Sequence, residues 1–261
     1  MVSLYGHILP LLATLVIWFV STGLIAWLDN RPRKTFSRSL AWAAIAGIAG
    51  LVMVVISARY ATIGAAYAAM AGALMIWAWH EMSFLMGAVA GPRREACPEG
   101  AKGWRRFFQA ASVLIYHEIA LVATALILIA LSWGAPNPTG AMVFCVLLVM
   151  RLSTKLNIFV GVPNMSDEIL PAHLGYLKSY FGPRRLGLWL ILALCAAGAL
   201  SVWLGLRAFA APADSFAAVS ASLVFGLAVL GTLEHLFLAL PFRDGALWGW
   251  ALPGRGKRMK V

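Results

Sequence analysis

Charged residues are scarce in this sequence: they make up 12% of its 261 residues, whereas 62% are hydrophobic. A soluble domain has about 25% charged residues, which keep its surface hydrated. The shortage excludes an ordinary soluble protein and predicts that most of the exterior faces lipid. Because the intervals between apolar runs are short, we expect a single integral membrane domain over residues 1–261.

Acidic residues and cysteines are also few. Ten Asp and Glu stand against 21 Lys and Arg, for a net charge of +11. The placement of this excess suits membrane topology, so no nucleic-acid partner is expected. Cys97, Cys145 and Cys195 are far apart and indicate neither a disulfide framework nor a zinc site. The first apolar run has no basic residue before it and no cleavage site after it, which predicts a retained helix rather than a signal peptide.

Long apolar runs, by contrast, are abundant. About 20 apolar residues in a helix cross a hydrocarbon core of about 30 Å. Seven stretches meet this requirement: 8–28, 40–58, 61–90, 107–133, 140–160, 187–208 and 216–240. They predict an all-α, polytopic transmembrane bundle of about seven helices, the third extending beyond the bilayer or tilting. The alternative for residues 40–90 is one long, broken helix, since only residues 58–60 separate the two runs.

The basic residues lie on alternate connections. All except Arg59 and Arg207 fall in or beside the first, third and fifth interhelix segments and in the tail, about 242–261. The positive-inside bias places these segments in the cytoplasm, with the amino terminus periplasmic and the carboxyl terminus cytoplasmic. Tryptophans near the predicted boundaries agree with this frame: Trp27, Trp42, Trp104 and Trp189 at inner ends, Trp133 and Trp203 at outer ends.

Three histidines each adjoin a glutamate inside a predicted helix, and the fifth predicted helix contributes further polar residues. An ionisable group at membrane depth costs roughly 2.5–3.5 kcal/mol, so these residues need a reason. Counting along the helices places them in one layer, roughly 9–15 Å from the cytoplasmic face. The sequence therefore predicts one intramembrane polar cluster, comprising His80, Glu81, His117, Glu118, Arg151, Lys155, Asn157, Glu234 and His235.

Four interpretations of this cluster stay open. The first is an iron, manganese or zinc site, since imidazole and carboxylate suit these metals, although the Glu-x-x-His spacing of di-iron bundles is absent. Its ligands would be His80, Glu81, His117, Glu118, Glu234 and His235. The second is a structural network in which Arg151 and Lys155 neutralise glutamates. The third is axial ligation of a haem or bacteriochlorophyll by one histidine. The fourth is a proton or solute pathway.

The segment before the sixth helix is long and mixes Pro, Gly and aromatic residues. Residues 171–181 are predicted to form an amphipathic interfacial helix, with His173 near the mouth of the cluster. His173 and Glu168 are therefore second candidates for the site, and the alternative is a solvated connector. The basic third loop is expected to lie against anionic lipid headgroups. His7 is expected to be exposed.

Several motifs in order resemble the photosynthetic complex assembly proteins of the PuhE type. They are WHE with SFLMGAVAGPRR, YHE, RLSTKLNIFVGVPN, LPAHLGYLKSYF and EHLFLALPFRD. The match covers about residues 77–250, and the first two helices carry little of it. Members of that family are multi-helix inner-membrane proteins of phototrophic bacteria, associated with the gene region of the reaction-centre H subunit.

The resemblance implies a part in building the reaction centre and light-harvesting core, or in supplying bacteriochlorophyll to it. The implied location is the inner or intracytoplasmic membrane. The implied partners are reaction-centre and light-harvesting proteins or pigment-synthesis enzymes. No catalytic mechanism follows, so enzymatic activity stays undecided. There are two alternatives. One is a membrane metalloenzyme that acts as an oxidoreductase on a tetrapyrrole or other lipophilic substrate, and the other is a transporter or proton pathway.

Overall fold

A computed structural model of the chain describes residues 2–165, 170–241 and 247–251. These residues form seven α-helices and no strands: α1 (Leu9–Asp29), α2 (Phe36–Ser57), α3 (Ile63–Leu85), α4 (Gly103–Ser132), α5 (Thr139–Val160), α6 (Leu188–Ala210) and α7 (Phe216–Ala239). A single π-helical turn, Leu4–Ile8, precedes α1. All seven helices are long and apolar enough to cross a membrane. The predicted all-α, seven-helix class is confirmed, and residues 40–90 form two helices.

The third helix is shorter than the apolar run predicts. It ends at Leu85 rather than at residue 90. Gly87 has a φ of 76°, a left-handed conformation that glycine adopts readily and that commonly ends helices. Residues 86–90 therefore leave the helix axis although they are apolar, and Ala90 packs against α4. The predicted end of the third helix, at residue 90, was wrong by five residues.

Hydrogen bonds show which helix ends meet. At one face of the bundle, His7 contacts the carbonyl of Ala208, and Asn137 donates to the carbonyl of Ser57. This face, which we call the neutral face, contains the start of α1 and the α2–α3, α4–α5 and α6–α7 connections. The other face contains the α1–α2, α3–α4 and α5–α6 connections, and we call it the basic face. Which of the two is cytoplasmic stays a prediction from the positive-inside bias.

Small residues allow close packing of α2 on α3. The Cβ of an alanine at position 50 would overlap the backbone of Gly72. The Cβ of an alanine at position 72 would likewise overlap the carbonyl oxygen of Gly50. Such glycine contacts are typical of helix pairs in membranes. Between the cluster and the neutral face, the centre of the bundle is filled by buried apolar side chains from α4, α5 and α7, including Leu121, Leu128, Phe144 and Leu223.

The predicted interfacial helix is a 3₁₀ helix, Ala172–Tyr180. Three residues per turn put every third side chain on one side, and Leu174, Leu177 and Tyr180 are the buried ones. They pack against the α3–α4 connection and the start of α4. The predicted amphipathic character is present, and the spacing of three between its buried residues matches the 3₁₀ geometry.

His7 is buried, contrary to the expected exposure, with 1% of its surface accessible. Its Nε2 lies 3.1 Å from the carbonyl oxygen of Ala208, and its Nδ1 lies 3.0 Å from the hydroxyl of Ser3. The ring stacks on Phe209 at 5.2 Å. The end of α6 thus covers the first turn of the chain, a contact between residues 201 positions apart that the local sequence does not reveal.

Candidate functional site

Helix α5 supplies two cations to one face of the bundle interior. Arg151 and Lys155 are four residues apart, so they lie one above the other on the same side of the helix. Arg151 Nη2 lies 3.2 Å from Glu81 Oε2 on α3, and Lys155 Nζ lies 2.6 Å from Glu118 Oε1 on α4. Two ion pairs therefore join α5 to its neighbours inside the apolar part of the chain.

Helix α7 brings the third pair to α5 from another side. The indole nitrogen of Trp18 on α1 donates to Glu234 Oε1 at 3.2 Å. His235 contacts the carbonyl of Gly231 through Nδ1 at 2.7 Å and the hydroxyl of Ser153 through Nε2 at 2.8 Å. Because a carbonyl only accepts, Nδ1 carries the proton and Nε2 of the neutral ring accepts from Ser153. His235 is thus satisfied on both ring nitrogens.

The carboxylates of the three pairs share one electrostatic environment. Glu81, Glu234 and Glu118 all interact with the charge of Arg151. Glu81, Lys155 and Glu234 each lie about one helical turn, about 6–8 Å, before the end of their helix at the basic face. The three helices therefore present their charged groups at a similar depth.

His80 and Asn157 lie at the margins of this group. His80 Nε2 lies 2.9 Å from the hydroxyl of Thr124, which ties α3 to α4. The amide nitrogen of Asn157 donates to the carbonyl of Ser153 at 3.0 Å, one turn earlier on α5. Both side chains are buried.

His117 differs from the other buried histidines. None of its surface is accessible, and neither ring nitrogen has a hydrogen-bond partner among the described residues. The centroid of its ring lies 4.8 Å from that of Phe84, and His117 interacts electrostatically with Lys155 and Glu81. A buried polar group without a partner costs about 1–3 kcal/mol, so this histidine calls for an explanation.

The loop after α3 forms hydrogen bonds with the backbone of α4 around His117. The backbone N–H of His117 donates to the carbonyl of Ala90 at 3.0 Å, outside its own helix, and Arg93 N–H donates to Ser112 at 3.3 Å. Gly91 lies between these contacts, where a Cβ atom would overlap the backbone of Ser112 and Val113. The GAVAGPRR segment thus docks directly on the turn of α4 that precedes the YHE motif.

Other polar atoms of the cluster and of the neighbouring Thr154 are also buried without a partner in the described part of the chain. They are Glu81 Oε1, Arg151 Nε, Thr154 Oγ1 and Asn157 Oδ1. Both donors and acceptors are among them. Three carboxylates against two fixed cations also leave the cluster one positive charge short when the histidines are neutral.

Exposure is unequal across the cluster. The side chain of Glu81 is 9% accessible and that of Lys155 15%, whereas Arg151 keeps 37% of its surface uncovered by protein. The cluster is therefore closed around His117 and Glu81 and more open beside Arg151.

The predicted metal ligands do not converge on one point. Within the described residues, which include all six, no three His, Cys, Asp or Glu side chains are grouped so as to hold a metal ion. Each is engaged elsewhere or lies apart, as the separate contacts of His80, His235 and the glutamates show. The geometry gives the metal interpretation no support.

Comparisons with known proteins identify the family of the chain. Residues 4–259 match the family model described as Protein of unknown function (DUF3623). The chain belongs to this family. It is 34% identical over 247 residues to a 30.4 kDa protein in the puhA 5′ region of Rhodobacter capsulatus, covering 93% of this chain and 89% of that protein. No solved structure matches the chain.

The family match extends over the whole bundle, including α1 and α2, which the motif resemblance hardly touched. In this DUF3623 chain, direct contacts within the predicted set are the ion pairs Arg151–Glu81 and Lys155–Glu118. The described hydrogen bonds of His80, Asn157, Glu234 and His235 are with residues outside that set. His173 lies apart, with Nε2 donating to the carbonyl of Leu85 at 2.8 Å. Glu168 lies outside the described residues. Sequence reasoning missed Trp18, Thr124 and Ser153, which have no distinguishing local pattern.

Proposed function

We propose that this protein is a membrane factor for assembly of the photosynthetic reaction centre and light-harvesting core, or for bacteriochlorophyll supply to them, in the inner or intracytoplasmic membrane. Two observations support it, and both rest on sequence similarity. The relative from Rhodobacter capsulatus, a phototrophic bacterium, is described by its place in the puhA 5′ region. The ordered motifs from WHE to EHLFLALPFRD resemble the PuhE-type assembly proteins.

The observation that carries a working site is the contrast between two histidines. His117 and His235 are both fully buried. His235 has a partner on each ring nitrogen, as expected of a structural residue. His117 has none in the described part of the chain, and neither has Glu81 Oε1. His117 also interacts electrostatically with Glu81, Arg151 and Lys155. We propose that His117 and Glu81 receive a polar group of a pigment or client protein during assembly.

Apolar packing argues against the transporter alternative. Leu121, Leu128 and Phe144 are completely buried between the cluster and the neutral face. A conducting path would need polar groups or water at that depth. The cluster therefore suits a site that opens on one side, as binding requires, better than a pathway through the membrane.

The test compares His117→Gln with His235→Gln in a phototrophic host whose own gene is deleted. The measured quantity is the yield of pigment–protein core complex divided by membrane abundance of the variant. We expect His117→Gln to lower this ratio at normal abundance. His235→Gln, the matched control, should lower abundance because it loses two buried hydrogen bonds, each contributing about 1 kcal/mol, and should leave the ratio unchanged. An unchanged ratio for His117→Gln would overturn the working site.

A further inference from the structure

A second concave site lies at the basic face, apart from the intramembrane cluster. It is a pocket of about 260 Å³ formed by three separate segments of the chain. The α1–α2 connection and the start of α2, the α3–α4 connection and the 172–180 helix contribute side chains to it. Its lining includes Arg33, Phe36, Met86, Arg94, His173 and Tyr176.

Two arginines give this pocket a positive charge that no described acidic side chain offsets. Arg33 and Arg94 come from different connections, and neither forms an ion pair with any described residue. Arg33 acts electrostatically on His173, and Arg94 acts on Tyr176. No described acidic side chain lines the pocket. Two guanidinium groups held around one concavity, without a carboxylate, are an arrangement that suits an oxyanion.

His173 is held in a defined orientation between them. Its Nε2 donates to the carbonyl oxygen of Leu85 at 2.8 Å, and its ring lies 5.9 Å from that of Phe36. Nδ1 is therefore the nitrogen available to a ligand. Burial, together with Arg33, lowers the pKa of His173 below its ordinary value of 6.5. A bound anion would act in the opposite direction, and protonation would make Nδ1 a third donor.

Size and polarity limit what fits. Sites for complete small-molecule ligands occupy about 300–1,000 Å³, so this pocket suits one group of a larger molecule or a small ion. Its inner wall is apolar, with Met86 and Ala90 buried, while the arginines lie at its exposed rim. The pocket is therefore amphipathic, and it lies where the helices leave the apolar zone.

We propose that this pocket binds a phosphate-class oxyanion through Arg33, Arg94 and His173. The source is either the headgroup of an anionic phospholipid or a soluble phosphate, which share this chemistry. The proposal does not depend on the assembly function, because it uses none of the cluster residues.

The experiment uses the full chain reconstituted in phosphatidylcholine nanodiscs in phosphate-free buffer. One arm titrates short-chain phosphatidylglycerol, and the other titrates inorganic phosphate. Thermal stability reports binding, since a ligand specific for the folded state stabilises it by mass action. Arg33→Gln and Arg94→Gln are the test variants. Arg31→Gln and Arg105→Gln are matched controls, because Arg31 stacks over Trp27 and Arg105 is exposed, both outside the pocket.

We expect each test variant to weaken binding about tenfold, because a charge-assisted hydrogen bond contributes about that factor. The controls should bind like the parent. Stabilisation by phosphatidylglycerol alone identifies a lipid headgroup, and stabilisation by inorganic phosphate identifies a soluble ligand; either supports the proposal. Stabilisation by neither, or equal weakening in the control variants, would overturn it.

Discussion

The ammonium group of Lys155 lies 2.6 Å from the carboxylate of Glu118, and this pair links α5 to α4 within the apolar region. The two side chains are 15% and 19% accessible, so both are mostly removed from solvent. At such burial the attraction and the desolvation cost nearly cancel, whereas the loss of one partner leaves an uncompensated charge. Removal of one partner should therefore lower the stability of the protein more than replacement of both partners.

Breaking this pair on one side should destabilise the protein strongly. We expect Lys155→Met to lower the free energy of unfolding by about 3–5 kcal/mol, because Glu118 stays buried without its cation. The double variant Lys155→Met with Glu118→Gln should recover most of the loss, because no unpaired charge remains. Thermal denaturation in detergent measures both. Equal stability of Lys155→Met and the parent would contradict a buried pair.

The docking of the α3–α4 connection on α4 depends on the absence of a side chain at Gly91. Gly91→Ala should cost about 2 kcal/mol or more, since the added methyl meets backbone rather than a flexible side chain. Gly198→Ala in α6 is the matched control, because nothing lies within 4 Å of its Cβ position. That change should stabilise the helix by up to about 1 kcal/mol. Membrane abundance and melting temperature distinguish the two, and comparable behaviour would refute the docking.

His173 should make stability depend on pH. Burial lowers its folded-state pKa below the ordinary 6.5, so the unfolded chain binds the proton more readily. Its contribution is therefore present above pH 6.5 and is lost as the pH falls below that value toward the folded-state pKa. In phosphate-free buffer, melting temperatures measured between about pH 7.5 and 5.5 should decline more steeply for the parent than for His173→Gln. Parallel profiles would assign the decline to other groups.

Reporter fusions test the orientation of the bundle. Fusions after Arg38, Lys102 and Lys178 should report the cytoplasm, because the positive-inside bias retains basic segments there. Fusions near Arg59, Pro136 and Asp214, at the neutral face, should report the periplasm. The seven helices require the two sets to alternate. A cytoplasmic signal at Pro136 would show that the orientation or the helix count is wrong.

Local chemistry accounts for several features of the fold. The seven helices follow from apolar runs matched to bilayer thickness, and most observed ends lie within a few residues of the predicted ones. A common layer for His80, His117 and Glu234 stays a prediction from the fixed rise of a helix. The alternation of basic and non-basic interhelix connections also follows from the positions of Lys and Arg along the sequence. Each of these depends only on composition and spacing along a single segment.

The sequence by itself thus determined the helices and their order, because hydrophobic length and helical rise are local properties. Only the tertiary structure decided which groups meet. Ser153 satisfies His235 from 82 positions away, whereas no described residue satisfies His117. Ala90 reaches the backbone of α4 because Gly87 and Gly91 let the loop turn and approach. Such pairings depend on how helices rotate and pack against one another, which no single segment encodes.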